Sequence, residues 1–147
     1  MNIQTMDQGI MHTIKRVSLP LSRIAIFVVY FWFGILKVFG VSPANPLIMA
    51  LQQQTLPFLT FHQFIIFFGI AEMIIGIIFL IRGWERLAIA LLMLHMITTI
   101  LPLFLLPQIG WQGFFVPTIE GQYIIKNIVI IAAAIGIAAH SHLQPMK

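Results

Sequence analysis

Four stretches of roughly 18 to 22 mostly apolar residues, each long enough to cross about 30 Å of hydrocarbon, take up most of the 147-residue chain. They leave no room for a second domain, and the composition leaves little to cover a soluble surface: 60% of the residues are hydrophobic and 8% charged, with a mean hydropathy of +1.00. The sequence therefore predicts an all-α integral membrane four-helix bundle and excludes a soluble enzyme. The spans are expected at about 20–40, 62–81, 86–106 and 122–139. They form one domain over 20–140, between a polar N-terminal segment at 1–19 and a tail at 141–147. The N-terminal segment, with Asp7, His12, Lys15 and Arg16, lacks the apolar core and small-residue cleavage site of a signal peptide and is expected to be retained. The absence of cysteine excludes a disulfide framework, a thiol-disulfide active site and a thiolate metal site. Any redox role must borrow a cofactor or a partner.

The connections differ in kind. Between spans one and two, Val41 to Phe61 holds Pro43, Pro46, Pro57 and the glutamines Gln52 to Gln54, which favours a surface segment with room for a short interfacial helix around Pro46 to Gln54. Arg82-Gly83-Trp84-Glu85 is so short that spans two and three must be an antiparallel hairpin. Pro107 to Gly121 combines Trp111, Phe114 and Phe115 with glycine and proline, a composition suited to a loop in the headgroup layer. The formal charge is +4 and the pI about 10.0, but the cations form no basic stripe for nucleic acid. Instead Lys15, Arg16, Arg23, Arg82, Arg86 and Lys147 all fall on one side and the two long linkers contain no Lys or Arg. Positive charge marks the cytoplasmic side, so both termini are expected in the cytoplasm.

Ionisable residues inside hydrocarbon cost a few kcal/mol on insertion scales, so those within the spans are the candidates for function. On span one, Arg23, Phe27, Tyr30, Gly34 and Lys37 follow by four and three and share a face. On span two, His62, Ile65, Gly69, Glu72 and Gly76 do the same, and Gly34, Gly69 and Gly76 are helix-packing candidates that let another backbone approach. Glu72 lies about 15 Å below His62, and His95 about 13 to 14 Å from Arg86 at the other surface, so both sit near the midplane and a contact between them is geometrically reasonable. Such a pair would serve as a proton relay or ligand anchor, or would hold the bundle in register. Lys37 and Lys126 occupy the outer ends of spans one and four, and either alone reads as a snorkelling cation. Together Lys37 and Lys126, with Glu120 able to approach the same layer, would form an external cationic mouth for an anionic or quinone-like headgroup. Gln122, Lys126, Val129, Ala133 and Gly136 line one face of span four, with the polar residues outermost and the small ones deeper. Thr98, Thr99 and Pro102 mark a bend in span three. His62, His140 and His142 lie at boundaries or in the tail, and no metal or haem site is expected.

The order of these motifs, Arg23, then Phe33-Gly34-Ile35-Leu36-Lys37, then Gly69-Ile70-Ala71-Glu72-Met73-Ile74-Ile75-Gly76, then Glu120-Gly121-Gln122-Tyr123-Ile124-Ile125-Lys126-Asn127, resembles the DoxX-like family of small four-helix bacterial membrane proteins over about residues 20 to 140. The resemblance implies a multi-pass protein of the bacterial inner membrane. It implies an accessory or quinone-interacting subunit of a redox or oxidative-stress system, not catalytic alone, with a bound quinone or lipid in place of an intrinsic cofactor. A soluble or membrane redox partner and a homo-oligomer are the associations that fit. His95 is not part of the family pattern. The other reading, from a different class, is a non-catalytic assembly factor, chaperone or small carrier whose intramembrane polar residues are structural.

Overall fold

The computed structural model describes residues 3–142, with side chains from 7 to 140; the expected tail, with Lys147 and His142, falls largely outside the described residues. Among the described residues four helices are long and apolar enough to cross a membrane, Asp7–Val38, Phe61–Leu80, Glu85–Leu105 and Ile119–His140, and the protein is an all-α four-helix membrane bundle.

Helix α1 (Ile3–Val38) begins well before the expected start of span one. Pro20 lies inside it without breaking it, and the hydroxyls of Ser18 and Ser22 donate to the carbonyls of Lys15 and Ser18 around the proline, as serines do where a proline disturbs a helix ladder. At 1.5 Å per residue its 36 residues run about 54 Å, well beyond the roughly 30 Å of a hydrocarbon core. Helix α2 (Asn45–Thr55) forms in the first linker where a short helix was expected. It packs on α3, and buried Gln52 donates its amide to the carbonyls of Leu56 and Leu59 at 2.7 and 2.8 Å, fixing the turn into the next helix. That helix, α3 (Phe61–Leu80), is capped by the Thr60 hydroxyl accepting from the Gln63 amide. The turn to α4 (Glu85–Ile100) places Gly83 at φ +90°, a conformation that glycine adopts without strain.

The helical pattern of span three is interrupted at Leu101, beside the residues that predict a bend. Pro102 opens a separate turn, α5 (Pro102–Leu105), followed by α6 (Pro107–Gly110). The Thr98 and Thr99 hydroxyls donate to the His95 carbonyl at 2.6 and 3.1 Å, one turn before the carbonyl that Pro102 leaves without a donor. The last linker is more ordered than a headgroup loop requires: β1 (Trp111–Gly113) pairs antiparallel with β2 (Val116–Pro117), and the Phe114 side chain at the hairpin tip is 92% exposed. Helix α7 (Ile119–His142) returns across the bundle.

The closest packing is between α1 and α3, which run antiparallel. A Cβ on Gly34 would lie 2.5 Å from the Gly69 carbonyl oxygen, and one on Gly69 would lie 2.7 Å from that of Gly34, so the two backbones touch where neither residue has a side chain. Gly76 repeats this less tightly against Phe27 and Tyr30. Helices α4 and α7 close the core with Ala88, Leu92, Ala134 and Ile137 against Ile26, Tyr30 and Phe79. The buried stripe of α7 is Ile124, Ala134 and Ile137. Of the face Gln122, Lys126, Val129, Ala133 and Gly136, Ala133 alone packs on the core; the other four are exposed, and nothing lies within 4 Å of a Cβ built on Gly136. In lipid, where tails are as apolar as isoleucine, hydrophobicity does not orient a helix, so Ile-rich α7 carries no sequence signal for which side is buried.

Candidate functional site

Antiparallel packing through Gly34 and Gly69 brings the end of α1 beside the middle of α3. Side chains in an α-helix lean toward its N-terminus. Lys37, one residue before the end of α1, therefore leans down into the bundle instead of snorkelling out. Its Cβ is a neighbour of Gly69, and its Nζ donates to Glu72 Oε2 at 2.6 Å. Both residues are buried, Lys37 at 5% and Glu72 at 6% exposure. The Phe68 ring lies 5.8 Å from the ammonium, giving the cation an aromatic face as well as a carboxylate.

His95, on α4, reaches the other oxygen of the same carboxylate, with Nε2 3.1 Å from Glu72 Oε1. The contact expected between these residues is thus present. It is a close electrostatic approach and not an aligned hydrogen bond: buried Nε2 has no well-directed hydrogen-bond partner. The ring is fixed from its other side, because Nδ1 lies 3.2 Å from the Tyr30 hydroxyl and 3.3 Å from that of Thr99. The Thr99 hydroxyl also donates to the His95 carbonyl, so the arrangement that satisfies most groups has Tyr30 donating to Nδ1 and a proton on Nε2 facing the carboxylate. Phe68 and Tyr30 flank the imidazole at ring separations of 4.8 and 5.3 Å. From Lys37 through Glu72 and His95 to Tyr30 and Thr99, polar side chains of three helices cluster together, hydrogen-bonded except at the close approach of His95 Nε2 to Glu72. A cluster of this kind can hold a proton at the carboxylate or the imidazole, or present a donor to a ligand oxygen.

A second pair, with Arg23 buried and Glu85 partly so, stands at the opposite end of the core. Arg23 Nη2 bonds Glu85, Arg23 Nη1 donates to the Phe79 carbonyl at 3.2 Å, and the Gly83 amide donates to Glu85 at 3.0 Å. This clasp ties α1 to the α3–α4 turn. Sequence reasoning put Arg23 on the inward face but did not find Glu85, although the chain has only four acidic residues and Glu85 is the one beside that turn.

The remaining candidates lie apart. Lys126 and Glu120 are on the exposed face of α7, and the Lys126 ammonium sits over the Tyr123 ring at 5.2 Å. The structure does not bring either to Lys37 and Glu72. His62 and His140 are exposed, and among the described residues no group of three His, Asp or Glu is placed to hold a metal ion. An open, apolar cleft of about 300 Å³ lies between the end of span three and α7, lined by Met93, Met96, Ile97, Ile100, Leu101, Phe104 and Ile131. No family model, no curated protein and no solved structure matches this chain.

Proposed function

We propose that the chain is a quinone-interacting accessory subunit of a membrane redox or oxidative-stress system, related to the DoxX-like proteins, with Glu72 and His95 as its headgroup and proton site. The observation that carries this reading is His95 Nε2: a buried polar atom without an aligned hydrogen-bond partner, held beside a carboxylate in a membrane core where unsatisfied polar groups are costly. A quinone carbonyl is an acceptor that such a donor fits. Lys37 holds Glu72 in place through Oε2, and Tyr30 and Thr99 hold the imidazole; the apolar cleft lined by Met93, Met96 and Ile97 lies on the other face of α4 and is not part of this site. A bound quinone would supply two-electron redox chemistry coupled to proton uptake. The chain's own contribution is to orient the headgroup and to carry a proton between Glu72 and His95, while electrons come from a separate redox partner. The charge bias of the turn and the N-terminal segment supports an inner-membrane orientation with both termini cytoplasmic.

The test is titration of the purified protein in lipid nanodiscs with a short-tailed quinone, read by quenching of its tryptophans. Saturable binding that weakens at least roughly tenfold in His95→Ala or Glu72→Gln is expected, because a hydrogen bond to a buried charged or polar partner contributes about 1.5–3 kcal/mol. Binding that is absent, or equal in all three proteins, removes the quinone. Cysteines placed at Gln53 and Gln112 should react with an impermeant reagent from outside, and one at Gly83 should not.

A second reading has its own support. Lys37 and Glu72 satisfy one another directly, as a pair that only specifies helix register would. Under that reading the chain is a non-catalytic assembly factor or carrier, and the nanodisc titration returns no ligand.

A further inference from the structure

Every residue from Asp7 to Val17 is exposed, and nothing lies within 4 Å of a Cβ built on Gly9. Counting back about 20 residues, the length that crosses the hydrocarbon, from Val38 puts the membrane boundary near residue 19, so this segment projects from the bilayer. The membrane-spanning part of the same helix nucleates these first turns of α1, so what a partner would supply is cover for their exposed apolar side chains.

Its apolar residues show where the partner lies. Ile10, Ile14, Val17, Leu21, Ile24 and Val28 follow by four, three, four, three and four, the spacing of the two core positions of a heptad. All six are exposed. At about 100° per residue they form one stripe on the side of α1 opposite Arg23, Tyr30 and Lys37, so covering them would leave the bundle undisturbed. Alongside the stripe from Ile10 on, Met11, Thr13 and Ser18 are uncharged, while Lys15 and Arg16 point away from it. Asp7, at the core position before Ile10, marks where the apolar stripe ends, and from Ile10 to Val28 two stripes can meet without opposing like charges.

The stripe also crosses the membrane boundary without a change of register. Lipid could cover Leu21, Ile24 and Val28 but not the projecting half, and a soluble partner could cover the projecting half alone. A second copy of α1, inserted in the same orientation and to the same depth, covers both. We infer that this face is a homodimer interface in which two copies of the chain pair their α1 helices in parallel from Ile10 to Val28.

The absence of native cysteine makes the test direct. Full-length chains carrying Ile14→Cys, Val17→Cys or Leu21→Cys, reconstituted at a high lipid-to-protein ratio and oxidised, should cross-link at least roughly tenfold faster than Lys15→Cys or Arg16→Cys, because a disulfide needs Cα atoms within about 7 Å. Equal rates at all five positions, or no cross-linking at the stripe, overturn the interface. The double variant Ile14→Glu with Val17→Glu should turn a dimer into a monomer by light scattering in nanodiscs, with the unfolding midpoint of the bundle unchanged; a species of unchanged mass also overturns it. Spin labels at Ile14 should show dipolar coupling between chains. Collision with lipid-phase oxygen and no coupling would mean that the segment lies on the bilayer surface, which excludes the dimer.

Discussion

Lys37 and Lys126 are near-equivalents in the sequence, each a lone cation a few residues inside the same end of the bundle, yet one is buried in an ion pair and the other stands exposed over a tyrosine. The difference follows from helix direction. Helix α1 arrives at that end with its C-terminus, so the N-terminal lean of its side chains carries Lys37 down to Glu72; α7 starts there, so the same lean carries Lys126 up toward Tyr123, three residues before it. Neighbouring residues reinforce the split. Gly34 and Gly69 open the space beside Lys37, whereas no helix covers Lys126. A lysine's fate in a membrane helix is thus set by which way the helix runs as much as by its depth.

The comparison can be broken by removing partners. The largest effect is expected for Glu72→Ala, which strands the Lys37 ammonium in the core and should cost about 3–5 kcal/mol, read from reversible unfolding in mixed micelles of rising denaturing-detergent fraction. Next comes Gly34→Leu, whose side chain would drive into the Gly69 carbonyl and Met73; overpacking should cost about 1–3 kcal/mol, whereas Gly136→Leu, pointing into open space, should stay within about 0.5 kcal/mol. Equal losses at the two glycines would mean that α1 and α3 do not meet as described. Tyr30→Phe removes one bond to His95 Nδ1 and should cost about 0.5–1.5 kcal/mol, with a change in the imidazole nitrogen NMR shifts that a simple packing defect would not produce. The smallest loss, about 0.5 kcal/mol for one exposed cation–π contact, is expected for Lys126→Ala. A loss there rivalling that of Glu72→Ala would show that the two lysines are equivalent after all.

Much of the Lys37 site was legible because it rests on periodicity and small residues. The faces Arg23, Tyr30, Gly34, Lys37 and Ile65, Gly69, Glu72, Gly76 are the buried faces of α1 and α3, and the four-residue turn forced α4, with His95, to lie beside α3. What sequence did not disclose was pairing at long range. Reading Lys37 as a snorkelling cation treated its length as freedom, without using the direction of its helix. The Arg23–Glu85 clasp joins residues 62 apart across an interface that no local pattern specifies. The rotation of α7 is not legible for a solvent reason: an isoleucine-rich helix in lipid loses little by turning either way, so its polar and small residues do not mark the buried side.

The separation of Lys37 from Glu72 along the chain also imposes an order in time. The two are 35 residues apart, and at a synthesis rate of about 5–20 residues per second the carboxylate leaves the ribosome roughly 2–7 s after the lysine. During that interval α1 holds an ammonium with no counter-charge, and its lean points that ammonium into the bilayer. The first helix cannot take its final seat until the third arrives, so the nascent protein must hold α1 at the translocon, or near the surface, while α2 and α3 are made. Insertion of α1 is therefore expected to be completed only with α3, and a chain truncated between Thr55 and Glu72 should be recognised as unfinished by the membrane quality-control machinery.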